Sequence, residues 1–145
     1  MEKEFITYEI ALALKELGFI ETCLSMFDIN GKIYHGYQSF GKVLFDNSME
    51  ENYNVNGIRI FKCSAPLWQQ VIDWLREEHK IHITYIYYSK KSVINWKDMF
   101  ESNHFIGVVD ERIEDNPTYY YFWLESYKEA REQAILKAIE LIKQK

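Results

Sequence analysis

His79 and His82 stand three residues apart, the spacing at which two imidazoles on one helical turn share a metal ion. Here the pair straddles the end of a helical pattern and the start of a β-branched run, so the two side chains diverge. Neither Cys23 nor Cys63 lies within ligand spacing of a histidine, including His35 and His104. The expected roles are local ones: His79 near a helix C-terminus, where its protonated form meets the negative end of the dipole, and His82 as a strand residue. No metal site is expected. Asp110, Glu111, Glu114 and Asp115 gather before Pro117. Carboxylates divide acid and base roles only where their environments push the pKa values apart, and a polar turn offers little burial, so this cluster reads as a solvated loop. Ser25, Ser39, Ser48 and Ser64 belong to no Gly-x-Ser-x-Gly elbow, and Gly31, Gly36 and Gly41 to no Walker or dinucleotide loop. With no catalytic foothold and no cofactor motif, the chain reads as a non-enzyme.

What the sequence has in quantity is aromatic side chain. Phe, Trp and Tyr make up 17% of the residues, and they concentrate in Tyr85, Tyr87 and Tyr88 and in the run Tyr119-Tyr120-Tyr121-Phe122-Trp123. Successive residues of a strand point opposite ways, so both runs put aromatics on both faces of any sheet they join. One of those faces looks away from the helices. It is covered by the N-terminal hairpin or helix, or pairs with a second copy of the chain, or binds a protein or a small ligand, for which Tyr and Trp are the usual anchors. Tyr85, Tyr87, Tyr119, Tyr121 and Trp123 are the candidate interface residues. Trp68, Trp74 and Trp123 are also the first assignments to the core.

The elements that position these residues are legible in outline. Thr7 caps a helix over 8–17 whose apolar positions Ile10, Ala11, Leu14 and Leu17 recur at helical spacing, with Gly18 at its C-terminal end. Cys23–Phe27 and Lys32–Tyr37 flank Asp28-Ile29-Asn30-Gly31 and predict a β-hairpin. Residues 38–56 read as a loop or an extra edge strand, apart from the short run Val43-Leu44-Phe45. Ile58-Arg59-Ile60-Phe61 predicts a further strand, and Pro66 suits the first turn of a helix running to about His79. That helix turns Leu67, Val71, Trp74 and Leu75 inward and Asp73, Arg76, Glu77 and Glu78 outward. Strands follow at Ile81–Tyr88, Phe105–Asp110 and Thr118–Leu124. Trp96, Met99 and Phe100 suggest a helical turn within the long connection 89–104. Ser126 with Glu129 forms a capping box, and Ala130, Ala134, Ala138 and Leu141, flanked by Ile135, Ile139 and Ile142, predict a helix over 126–143. The order is α-β-β-β-α-β-β-β-α, and the expected fold is α+β, an antiparallel sheet backed by helices in one domain spanning 1–145.

Composition bounds the function classes. A chain of 145 residues, 48% hydrophobic with six Gly and two Pro, buries a core and is neither disordered nor collagen-like. No apolar run reaches the roughly 18 residues of a membrane span, and Met1-Glu2-Lys3-Glu4 has no signal-peptide character, so a cytoplasmic protein with no membrane partner is expected. The net charge is −5, and it is shared: residues 1–63 carry six basic and nine acidic side chains, residues 64–145 carry 11 and 13. A basic footprint for phosphates is missing. Two cysteines 40 residues apart in apolar stretches read as buried free thiols.

Two resemblances add to this reading. From Pro66 to Lys145 the order helix, three strands, helix resembles the double-stranded-RNA-binding domain, and Ser126-Tyr127-Lys128-Glu129-Ala130-Arg131-Glu132-Gln133-Ala134 is similar to the start of that family's last helix. The resemblance implies nucleic-acid contacts from Lys128 and Arg131, with Lys90, Lys91 and Lys97 in place of the family's Gly-Pro-x-His loop, which is absent. Glu129 and Glu132 interrupt the basic cluster. The second resemblance rests on Tyr8-Glu9-Ile10-Ala11-Leu12-Ala13-Leu14-Lys15-Glu16-Leu17-Gly18-Phe19, on Ala65-Pro66-Leu67-Trp68-Gln69-Gln70-Val71-Ile72-Asp73-Trp74-Leu75-Arg76-Glu77-Glu78-His79, and on Tyr127-Lys128-Glu129-Ala130-Arg131-Glu132-Gln133-Ala134-Ile135-Leu136. In these segments the chain resembles a group of small uncharacterised proteins of bacteroidal phages, prophages and their hosts. That resemblance implies a setting, a mobile element, and no mechanism. The expectation from sequence is therefore a non-enzymatic α+β protein that binds another protein or its own copy. A nucleic-acid-binding module and a small-ligand-binding protein are the alternatives.

Overall fold

The computed structural model of the protein describes residues 4–38, 41–42, 44–49, 54–55, 59–87, 104–112, 117–124 and 126–144, with the backbone alone at 37–38, 41–42, 54–55, 59–60, 86–87, 104–105 and 123. The expected helical turn around Trp96, Met99 and Phe100 lies outside the described residues. The chain is α+β; the described residues form three helices and strands that pair antiparallel, and the chain divides into two compact units, Met1–Val71 and Ile72–Lys145.

In the first unit α1 spans Tyr8–Glu16, and the Thr7 hydroxyl accepts from the Ile10 N–H at 3.4 Å. The helix ends because Gly18, at φ +87°, takes the left-handed conformation that a Cβ disfavours. The N–H groups of Gly18 and Phe19 then reach back to the carbonyls of Lys15 and Leu14, which closes the last turn. Strands β1 (Ser25–Asp28) and β2 (Ile33–His35) form the expected hairpin. Its reversal has three loop residues: Gly31 N–H donates to the Asp28 carbonyl, and Gly31 alone adopts a positive φ, +75°. A Cβ there would lie 2.9 Å from the Tyr8 ring, so glycine is required on two counts. Buried Asp28 is satisfied by the N–H groups of Asn30 and Lys32, both at 2.9 Å.

Residues 38–56 supply short strands: β3 (Tyr37–Gln38) pairs with β4 (Gly41–Lys42), and β5 (Asn54–Val55) pairs with β6 (Arg59–Ser64). Strand β6 also lies against β1, with an irregularity between Phe27 and Asp28, so the sheet order is β2-β1-β6-β5. Met26 and Phe27, adjacent in β1 and therefore on opposite faces, are both buried. One face receives α1, with Tyr8 edge-on to Phe27 at 5.5 Å. The other receives a cluster of Met26, Phe45 and Phe61, with Tyr34 and Met49 beside it.

Helix α2 (Trp68–His79) runs through the division between the units. Pro66 lies two residues ahead of it and not in its first turn; the start is made instead by Gln70, whose Oε1 accepts from the Leu67 N–H at 3.0 Å. Lys80, at φ +55°, ends the helix. Trp68 and Trp74 are buried as expected, and the side chain of Trp123 lies outside the described residues.

In the second unit β7 (Ile81–Tyr87), β8 (His104–Asp110) and β9 (Thr118–Leu124) form a three-stranded meander with an unbroken register from Ile81↔Asp110 to Tyr87↔His104 and from His104↔Leu124 to Asp110↔Thr118. Helix α3 (Tyr127–Lys143) packs across it, capped by Ser126, whose hydroxyl accepts from the Glu129 N–H at 3.2 Å. Ala130, Ala134 and Ala138 are fully buried and let the helix lie close to the strands.

Candidate functional site

Cross-strand partners in an antiparallel sheet project from the same face, so the register sorts the aromatic residues. One face carries Ile81, Ile83, Tyr85 and position 87 of β7, Ile106 and Val108 of β8, and Tyr120, Phe122 and Leu124 of β9. Ile81, Ile106 and Val108 are buried here, and α3 covers this face: Lys137 Nζ stands 4.5 Å above the Tyr120 ring, and Tyr85 meets Tyr127 edge-on at 4.6 Å. The opposite face carries His82, Thr84 and position 86, then position 105, Gly107 and Val109, then Tyr119, Tyr121 and position 123.

The five candidate interface residues therefore do not act together. By backbone register Tyr119, Tyr121 and position 123 fall on the face away from α3, whereas Tyr85 and position 87 fall on the α3 side. Tyr119 and Tyr121 are 53% and 55% exposed, while Tyr85 is near the edge of exposure at 38% and leans on Tyr127. The rings of Tyr119 and Tyr121 are nearly parallel, 15° between planes, with centroids 6.3 Å apart. Tyr121 lies across Gly107, where a Cβ would sit 3.5 Å from its ring in ordinary contact. Beside Tyr119 the row continues through Val109 to His82, whose Nε2 stands 3.1 Å from Glu111 Oε2. Sequence spacing carried no signal for that contact, because it depends on strand ends meeting.

The nucleic-acid contacts separate in the same way. Lys128 is exposed, but Arg131 is not a surface cation: it is only 7% exposed, and its guanidinium lies 4.9 Å from the Tyr127 ring. Arg131 continues the Ile135, Ile139 and Ile142 stripe one turn toward the N-terminus, which is why the helix turns it inward. Lys90, Lys91 and Lys97 lie outside the described residues.

The acidic cluster is divided too. Asp110 accepts from Arg112 Nε at 2.7 Å and from Nη2 in a bidentate pair, and Arg112 Nη1 donates to the Leu141 carbonyl at 3.0 Å, which ties the sheet end to α3. The hydrogen bonds to Asp110 raise the Arg112 pKa above its ordinary value. Glu114 and Asp115 lie outside the described residues.

In the first unit the polar groups are spent on structure. Ser25, fully buried, lies 2.7 Å from His35 Nδ1 across the β1–β2 pair. Cys23 and Cys63 are free and buried, and burial pushes the Cys23 thiol up to about 12. In the second unit His79 meets Trp74 edge-on at 4.4 Å. Among the described residues no three His, Cys, Asp or Glu side chains gather as a metal site, and no helix is long and apolar enough to cross a membrane. No protein-family model, curated protein or solved structure matches the chain.

Proposed function

We propose that the protein is a binding protein and not a catalyst, and that the face of the β7-β8-β9 sheet carrying Tyr119 and Tyr121 is its contact surface for another protein or a second copy of the chain. The observation that supports this reading is the pair of large aromatic rings, each more than half exposed, side by side on the sheet face that α3 leaves open. Tyrosine suits a contact surface because it brings a wide apolar ring and a hydroxyl that bonds either way. Nucleic-acid binding would call for cations on an open surface, and Arg131 is inside. The setting we propose is the cytoplasm of a host carrying a mobile element, on the resemblance of the helical segments.

The test is light scattering with size exclusion on the wild type and on the Tyr119→Ser/Tyr121→Ser double variant. A concentration-dependent assembly, or a stoichiometric co-purifying protein, is expected for the wild type and lost in the variant. A wild type that stays monomeric and partner-free, with the variant indistinguishable from it, overturns the reading.

A further inference from the structure

Two strands under the same helix are covered unequally. Ile106 and Val108 of β8 are buried, whereas their cross-strand partners Phe122 and Tyr120 of β9, on the same α3 side, are half-buried. The difference lies in their neighbours. β8 has a strand on each side, and among the described residues β9 pairs with β8 alone, so the apolar layer under α3 stops at β9. An edge strand presents a row of backbone N–H and C=O groups, and native edges are commonly blunted by lysine, proline or a bulge. β9 has none of these: its seven residues Thr118–Leu124 include no charge and no proline, and its register against β8 is unbroken.

The residue order selects the occupant. Laid antiparallel to a copy of itself about Tyr121, β9 sets Tyr121 opposite Tyr121, Tyr120 opposite Phe122 and Tyr119 opposite position 123, a tryptophan. All of these pairs are aromatic on both strands, a favourable cross-strand combination, and no like charges meet along the strand although the chain is at −5. Opposed residues share a face, so Tyr120 of one copy and Phe122 of the other meet on the α3 side and continue the layer that β9 leaves unfinished. The helices have room. α3 packs mainly over β8, one strand in from the edge, so two such helices stand three strand spacings apart, about 14 Å, against a helix diameter of about 10–12 Å. A two-fold pair also closes on itself, whereas β9 set on the β7 edge of another copy would leave an edge at each end and keep growing.

We propose that two copies of the chain pair β9 to β9, antiparallel and centred on Tyr121, joining their sheets into one. This goes beyond the reading of the Tyr119 and Tyr121 face as a contact surface, because the seam is the edge of the strand and is made by its backbone. The test is light scattering of the wild type, expected at about twice 17.5 kDa, together with disulfide trapping of full-chain variants by copper phenanthroline. Opposed Cα atoms of an antiparallel pair are about 4.5–5.5 Å apart, within disulfide reach, so most of Tyr121→Cys should trap as a covalent dimer. Position 119 lies four residues from its own copy, about 14 Å, so Tyr119→Cys should not trap. Cys23 and Cys63 are buried, and the wild type treated alike gives the background. Folding of each variant is verified by circular dichroism and melting. Should Tyr121→Cys fail to fold, a mixture of Thr118→Cys and Leu124→Cys chains reads the same register, since those positions are opposed. A monomeric wild type, no trapping at the opposed positions, or equal trapping at 119 and 121 overturns the seam. If the serine double variant nonetheless loses a co-purifying protein, the contact face stands and the seam alone falls.

Discussion

Strands β1 and β9 are the two most instructive pieces of the molecule to set side by side. All four residues of β1, Ser25 to Asp28, are buried, because α1 covers one face of its sheet and the Met26-Phe45-Phe61 cluster covers the other. In β9 the burial differs by face: Tyr120, Phe122 and Leu124 are half-buried on the α3 side, and Tyr119 and Tyr121 are exposed on the other. The chemistry follows the coverage. Where both faces are closed, the buried polar side chains of β1 have local answers, Ser25 with His35 and Asp28 with two backbone N–H groups. On the face of β9 away from α3, the exposed aromatics Tyr119 and Tyr121 each carry a hydroxyl. An aromatic strand is therefore not by itself a core strand: among the described residues, β1 has a layer against each face and β9 has one against the α3 side.

The largest effect should come from emptying the closed side. Phe61 is fully buried and stacks at 6.5 Å from Phe45, so Phe61→Ala should cost about 3–5 kcal/mol in urea unfolding. A loss under about 1 kcal/mol would mean that the second layer of the first unit is not packed, and the contrast with β9 would disappear.

A smaller effect concerns charge. With its pKa pushed up to about 12 by burial, against an ordinary value of 9.0, the Cys23 thiol keeps its proton in the folded chain while the unfolded chain loses it. Between those values the native state binds more protons, so stability falls as pH rises: the contribution is fully present below pH 9 and is lost toward pH 12. The slope approaches about 1.4 kcal/mol per pH unit. Unfolding measured from pH 8 to 11 should show a steeper decline for the wild type than for Cys23→Ala, and parallel curves would mean that the thiol is solvated.

Much of this architecture was legible in the residues and some of it was not, for physical reasons. Local signals served well: Thr7 and Ser126 as caps, Gly18 at a left-handed helix end, Gly31 in the hairpin reversal, and the alanine stripe of α3 act within a few residues of themselves. Pairing is different. That β6 returns to lie beside β1, or that Asn54–Val55 adds to it, leaves no mark on the periodicity of either strand. The sorting of the candidate site depended on the same hidden quantity. Alternation says that Tyr85 and Tyr87 share a face, and that Tyr119, Tyr121 and Trp123 share one; only the register through β8 shows that these are opposite faces. Arg131 is the case where the signal is in the sequence: the isoleucine stripe of α3 extends to it and places a charged residue inside.

The smallest stability effect is also the one that bears most directly on function. Tyr119 is exposed, so Tyr119→Ser removes little buried area. It gives up some strand preference, on a scale that spans about 1 kcal/mol, and the partial packing of its ring beside Tyr121. The expected cost in urea unfolding of the dilute protein is within about 1 kcal/mol, well below that of Phe61→Ala. A cost near 3 kcal/mol would show that this face is closed in solution as β1 is, and would return Tyr119 to the core. A small cost joined to a lost assembly or partner separates the two roles of aromatic residues in this chain, because the same substitution then leaves the fold standing and removes what docks on it.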